Sequence, residues 1–181
     1  MFQEALAEIL SRLETAQSRG LLSRYALIGG FAVSAWGVPR ATQDIDFAIA
    51  IAQADPKALT AFIGGRYQAG EPDDPLRGVV VVSIEVEHEP ISLQLVFFPA
   101  LLTELAFRHV ETLSVLACSV PVVSWPVLII LKLYAGGPRD LLDVHQLLKV
   151  RRPQAKDVQE IESMAQVAGV LSEWKNLWKQ M

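Results

Sequence analysis

Residues 27–47, LIGGFAVSAWGVPRATQDIDF, decide how the rest of the chain is read. The run Tyr25 to Ile28 is short and apolar and stops at Gly29-Gly30, as expected of a buried strand breaking into a loop. A short helix through Phe31 to Trp36 should follow, then a break at Gly37-Val38-Pro39, then a strand over Asp44 to Ile51. Residues two apart on a strand share a face, so Asp44 and Asp46 present their carboxylates side by side while Ile45 and Phe47 turn to the core. Paired carboxylates of this kind suit Mg²⁺ or Mn²⁺, with phosphate oxygens and waters completing the shell. The glycine pair permits close approach of the backbone to a phosphate, and a helix opening there would aim free N–H groups at the anion.

Composition limits what such a site can belong to. At 181 residues and 19.9 kDa the chain is expected to form a single domain over 1–181. Its 51% hydrophobic and 20% charged residues suffice for a core and speak against disorder. A net charge of −4 and a pI near 5.4 exclude a polycation that coats nucleic acid, while leaving room for a local basic groove. One cysteine, Cys118, excludes an intramolecular disulfide and a Cys-rich zinc site, and its apolar neighbours read as those of an inert core thiol. The single cysteine fits a reducing cytoplasm, the location expected here, and the N-terminal MFQEALAEIL does not read as a secretory signal. The uncharged stretch 112–131 is long enough to span a bilayer, but Pro121, Pro126 and the Ser-Trp-Pro turn read as a buried strand followed by a buried helix.

Outward from the acidic strand, Phe2, Leu6, Ile9, Leu10, Leu13 and Ala16 recur at helical spacing ahead of Gly20. Pro56 after Asp55 opens a helix that Gly64-Gly65 ends. A turn-rich loop, QAGEPDDPLRG with a turn at Asp73-Asp74-Pro75, precedes strands over Val79 to Glu87 and Ile91 to Phe98, paired through His88-Glu89-Pro90. Leu101 to Phe107 reads as helix and Thr112 to Val123 as one or two strands. Ser124 is a plausible N-cap for a helix from Trp125 to Ala135, closed by Gly136-Gly137. Pro138 starts the next helix, with Leu141, Val144, Leu147 and Leu148 as its apolar face. One or two more helices carry Val158, Ile161, Met164, Ala165, Val170, Leu171, Trp174, Leu177 and Trp178. The pattern is α+β: a small mixed β-sheet core with helices over 1–123 and a helical C-terminal part over 124–181.

No GxxxxGK[ST] loop, GxGxxG after a strand or G-x-S-x-G elbow occurs, which argues against a P-loop hydrolase, a Rossmann dehydrogenase and a serine hydrolase. The glycine pair, spacer and Asp-x-Asp resemble the nucleotidyltransferase superfamily typified by polymerase β. GGFAVSAWGVPRATQDIDF is similar to the minimal bacterial nucleotidyltransferase-like proteins, including toxin-type members of AbiE-class toxin–antitoxin systems. DDPLRGVVVV and PVVSWPVLIILKLYAGGPRDLLDVHQLL resemble their middle and downstream blocks, so the likeness runs from about Tyr25 to Leu148.

That resemblance implies the nucleotidyltransferase fold and transfer of a nucleoside monophosphate from an NTP to a hydroxyl on RNA (tRNA) or protein, with pyrophosphate leaving. Gly29 and Gly30 would hold the triphosphate, Asp44 and Asp46 the metal, and Arg40 and Thr42 would reach phosphate oxygens or brace the loop. Lys132 would add positive charge, and Arg139, Asp140 and Asp143 would line or stabilise the cleft. A third carboxylate usual on a neighbouring strand is replaced by Ser92 or Gln94 in PISLQLVFF; Glu85 and Glu87 share a face of the preceding strand and are candidate substitutes. Two further readings follow: a catalytically reduced protein that binds nucleotide or a protein partner without turnover, and a module whose apolar C-terminal face dimerises or seats an antitoxin.

Several of these residues also have a plain structural reading. Lys132 could snorkel to water from an apolar helix, and acids at the start of a helix complement its dipole. His88, His109 and His145 make no metal-spacing motif, and Trp174 and Trp178 read as helix packing. Lys149, Arg151, Arg152 and Lys156 suit either RNA phosphates or a solvated helix end.

Overall fold

The computed structural model describes residues 1–51, 55–71 and 74–181, so Asp73 of the expected turn lies outside the described residues. The apolar stripe anticipated near the N-terminus forms α1 (Phe2–Ser18), which buries Ala5, Leu6, Ile9, Leu10, Leu13 and Ala16. β1 (Arg24–Ile28) runs directly into α2 (Gly29–Ala35), and the chain returns as β2 (Asp44–Ala50), antiparallel to β1 with Ile28 opposite Asp46. α3 (Pro56–Ile63) follows, its N-terminus capped by the Asp55 carboxylate, which accepts from Lys57 N, and its C-terminus closed by left-handed Gly64.

β3 (Arg66–Ala69), β4 (Gly78–Val86) and β5 (Glu89–Phe97) form an antiparallel set, and β5 then pairs in parallel with β2. After α4 (Ala100–Ala106), the hairpin of β6 (Val110–Val115) and β7 (Cys118–Val123) joins the other side, with β7 parallel to β1. The sheet has seven strands in the order β3-β4-β5-β2-β1-β7-β6, so the acidic strand sits at its centre. α5 (Trp125–Ala135), α6 (Pro138–Arg151), α7 (Ala155–Val167) and α8 (Leu171–Trp178) complete the chain. No helix among the described residues is long and apolar enough to cross a membrane; the suspect stretch is β6, β7 and α5.

One apolar cluster joins sheet and helices, from Leu6, Ile9 and Phe47 to Ile161, Met164 and Trp174. Trp174 is fully buried and stacks on Trp178 with ring centroids 5.3 Å apart, so this pair is packing, as its spacing suggested. Arg151 of the basic cluster lies over the rings of Trp36 and Trp125, 5.1 and 5.8 Å from their centroids.

The structure corrects five expectations. Glu87 and His88, both at positive φ, make the two-residue turn between β4 and β5, and Glu89 and Pro90 already belong to β5. β3 was unexpected: RYQA lies at the sheet edge, mostly exposed, and lacks the alternation that marks a half-buried strand. Leu141 is 39% exposed, and the buried position on α6 goes to Asp143. Ser124 occupies the N-cap position of α5, but its hydroxyl makes no cap bond, and Pro126 in the first turn has no N–H to offer. Cys118 is only partly buried, at the start of β7, rather than in the core.

Candidate active site

The site begins where β1, α2 and β2 meet. Gly29 has φ +66, a left-handed conformation that favours glycine, and a β-carbon there would overlap Asp46 Oδ2. At Gly30 a β-carbon would overlap Arg40 Nη1 and crowd the Thr42 hydroxyl. In the protein alone, then, the glycine pair admits the carboxylate, guanidinium and hydroxyl of the site against the start of α2. Thr42 Oγ1 donates to the Asp44 carbonyl at 3.2 Å, bracing the loop where β2 starts.

Two helices close the opposite wall. Lys132, on α5 and only 7% exposed, donates from Nζ to Asp140 Oδ1 at 2.6 Å and lies 2.9 Å from Asp143 Oδ2. Asp143 is itself 3% exposed and receives Arg40 Nε at 3.1 Å on its other oxygen. Arg40 is thereby anchored through Nε while Nη1 lies over Gly30. Lys132 therefore does not snorkel to bulk water; it is the buried centre of an ion-pair cluster that ties the α2–β2 loop to α5 and α6.

Gly29, Gly30, Arg40, Thr42, Asp44, Asp46, Lys132, Arg139 and Asp140 all line one cleft of about 420 Å³. Asp143 lies behind this lining and supports it. Burial, and after it the neighbouring Asp44 carboxylate, raises the Asp46 pKa to about 6 against the opposing pull of Lys132 and Arg40. Because Arg40 and Lys132 are matched by Asp140 and Asp143, the Asp44–Asp46 pair keeps uncompensated negative charge. Arg139 enters no ion pair among the described residues.

Asp44 pairs with Ser92 and Asp46 with Gln94 across β2 and β5, so these neutral residues do flank the two carboxylates. Neither is among the residues lining the cleft. Glu85 and Glu87 are no substitutes for a further carboxylate, because they line a different depression with Glu4, Glu8 and Arg12. Among the described residues no group of three or more His, Cys, Asp and Glu converges as a metal site. His109 faces Glu160 at 3.6 Å.

Sequence reasoning missed two features. One is the bridging of both cations by Asp143, signalled only by an acid three residues after Asp140 on a buried helix stripe. The other is a second pocket, of about 270 Å³, lined by apolar side chains including Val96, Phe98, Leu128, Leu131 and Tyr134. It meets the polar cleft at Gly29, Asp46, Lys132 and Asp140.

The fold is that of a nucleotidyltransferase. Two solved structures share the fold: ANT(2")-Ia in complex with adenylyl-2"-tobramycin, with TM-score 0.54, 17% identity and coverage of 95% of this chain and 98% of that one, and an antigenic nucleotidyltransferase-like protein from Paracoccidioides brasiliensis, with TM-score 0.54, 14% identity and coverage of 98% and 90%. Residues 9–169 match the family described as nucleotidyl transferase AbiEii toxin, type IV TA system, and the chain belongs to that family. No curated protein matches the sequence significantly.

Proposed function

We propose that this protein is a Mg²⁺-dependent (or Mn²⁺-dependent) nucleotidyltransferase that moves a nucleoside monophosphate from an NTP to a hydroxyl acceptor on RNA or protein. The observation that carries this reading is the convergence of nine residues from four elements and their loops on one cleft with an uncompensated Asp44–Asp46 pair. These two carboxylates fit a divalent cation: they are hard oxygen donors, side by side on one face of β2, and burial keeps Asp46 costly to ionise without a positive partner. When bound, the ion would screen the phosphates and polarise the reacting phosphorus.

The chain's own residues divide the remaining work. Arg40 Nη1, Thr42 and the backbone at Gly29 and Gly30 would receive the leaving pyrophosphate, with the exposed Arg139 supplying charge from the rim. Asp140 and Asp143 hold Lys132 and Arg40 in place, so these cations are oriented before substrate arrives. The acceptor oxygen attacks the α-phosphorus in line as pyrophosphate departs. The shared core of sheet and helices supports one domain over residues 1–181. The family supports a toxin role with an antitoxin protein as partner, and the cytoplasm is the compartment this reading assigns to it. Size measurement of the chain alone and with a co-expressed neighbour tests that partner against a homodimer.

A second reading, nucleotide binding without turnover, draws on Ser92 and Gln94 beside the two carboxylates. A thermal-shift titration with each of the four NTPs, with and without Mg²⁺, tests the first step. At 100 times Kd a ligand adds about 2.7 kcal/mol of stability. Stabilisation that needs Mg²⁺ and is lost in the Asp44→Asn, Asp46→Asn double variant supports a nucleotide site; no shift with any NTP overturns it. Transfer of labelled nucleotide then separates enzyme from binder.

A further inference from the structure

The apolar pocket beside the cleft is not explained by phosphate or metal binding. It extends from Asp46 on the side of Val96, Phe98 and α5, whereas the polar cleft extends from the same residue towards Arg40, Thr42 and Asp44. Along β2 and β5 the two openings therefore run in opposite directions from Asp46. An in-line displacement requires the attacking oxygen to stand opposite the departing pyrophosphate. With the pyrophosphate on the Gly30, Arg40 and Thr42 side, the acceptor comes from the apolar side.

Size and lining narrow the acceptor. About 270 Å³ exceeds the roughly 150 Å³ cavity that takes one benzene ring and falls short of the roughly 300–1,000 Å³ of pockets for drug-sized ligands. Phe98, Leu128, Leu131 and Tyr134 offer ring and aliphatic surface, and polar side chains enter the lining where it meets the cleft, at Asp46, Lys132 and Asp140. A flat apolar body with one hydroxyl, inserted so that the hydroxyl reaches Asp46, satisfies both ends of the pocket.

We propose that this pocket is the acceptor subsite and that the acceptor is a phenol, the tyrosine side chain of a protein being the form that fits. This rests on the nucleotidyltransferase reading above. The neutral flank at Ser92 and Gln94 agrees with it. A phenol ionises near pH 10, while water holds its proton to about 15.7 and aliphatic alcohols ionise far less readily than phenols, so a phenolic oxygen needs less help from a general base. In the reaction the phenolic oxygen bonds to the α-phosphorus, the bond from that phosphorus to the β-phosphate oxygen breaks, pyrophosphate leaves with the electron pair, and the phenolic proton passes to water.

The test incubates the full chain with Mg²⁺ and α-labelled NTPs and supplies, separately, N-acetyltyrosinamide, N-acetylserinamide and a short RNA with free 3′ hydroxyl. NTP binding is followed in parallel by thermal shift. The expected product is a nucleotidyl adduct on the tyrosine compound alone, recognised by its mass. Ala135→Trp fills the pocket from its exposed rim at the end of α5. It should cut transfer by roughly 10–200-fold, as a misfit in a substrate pocket does, while leaving the Mg–NTP thermal shift as in the wild type. Labelling of RNA or serinamide at a rate equal to that of the tyrosine compound overturns the phenol assignment, and so does NTP binding with no adduct on any acceptor. An Ala135→Trp protein that loses the NTP shift along with transfer shows that the pocket holds the nucleobase, which also overturns it. Absence of any NTP shift in the wild type removes the reading on which the proposal rests and is told apart by that control.

Discussion

Asp46 Oδ2 fills the space that a β-carbon on Gly29 would need. The glycine at the start of α2 is therefore matched to one carboxylate of the strand beside it. Gly29→Ala would suffer twice, from a left-handed φ of +66 and from displacement of Asp46. Gly20 separates the two effects, since it has φ +72 and a β-carbon there would meet nothing within 4 Å. We expect Gly20→Ala to cost about 1–2 kcal/mol in urea unfolding, the backbone cost alone. Gly29→Ala should cost more, and part of the excess should vanish in an Asp46→Ala background. Equal costs at the two glycines would mean that Asp46 moves aside freely.

The Asp143 carboxylate is the second structural hinge of the site. It is buried, with Arg40 on one oxygen and Lys132 on the other, so its removal strands two cations at once. Loss of one partner of a buried ion pair typically costs about 3–5 kcal/mol, and Asp143→Leu should fall in that range by chemical denaturation. Asp140, with 23% of its side chain exposed, is screened by water, and Asp140→Asn should cost clearly less. Lys132→Met added to Asp143→Leu should recover much of the loss, because well-packed apolar residues can replace a buried pair. Failure to recover would place the main burden on Arg40.

Much of this arrangement is legible locally and some of it is not. The facing of Asp44 and Asp46 follows from the two-residue period of one strand, and the helix ends at Gly64 and Gly136 follow from glycine's access to left-handed φ. The register that sets Gln94 beside Asp46 belongs to the pairing of two strands distant in sequence, and no period reveals it. The same holds for Asp143, whose partners lie on α5 and on the α2–β2 loop, and for the apolar pocket, assembled from β1, β2, β5, α5 and the chain around Pro75. Edge strand β3 escaped notice because a strand with one neighbour and little burial need not alternate.

The β6–β7 hairpin turns through Leu116 and Ala117 at φ 48 and 64, values that favour Asn-Gly in a two-residue turn. Leu116 is 40% exposed, so its replacement gives up little packing. The variant Leu116→Asn, Ala117→Gly should gain about 1 kcal/mol, which for a chain of this length raises Tm by roughly 2–4 °C. Calorimetry showing no gain would indicate that the pairing of the strands, not the turn, sets the hairpin.

The raised pKa of Asp46 makes stability depend on pH in a definite direction. The folded value is about 6 against an ordinary 3.8, so the folded chain holds a proton that the unfolded chain releases between those values. The stabilising share of protonated Asp46 is complete below about pH 4 and disappears as pH rises through 6. Ionisation then costs about 3 kcal/mol at pH 8, from a shift of roughly two units at about 1.4 kcal/mol each. In metal-free buffer, Asp46→Asn should therefore be more stable than the wild type at pH 8, by about 2–3 kcal/mol, and the gap should close near pH 4. Saturating Mg²⁺ with NTP favours the ionised carboxylate and should reverse the order at pH 8, since only the wild type gains binding energy. Urea titrations of both proteins at pH 4, 6 and 8, with and without Mg–NTP, measure this directly. A gap that does not change with pH would show that Asp46 stays ionised in the folded chain and that its burial is compensated by the neighbouring cations.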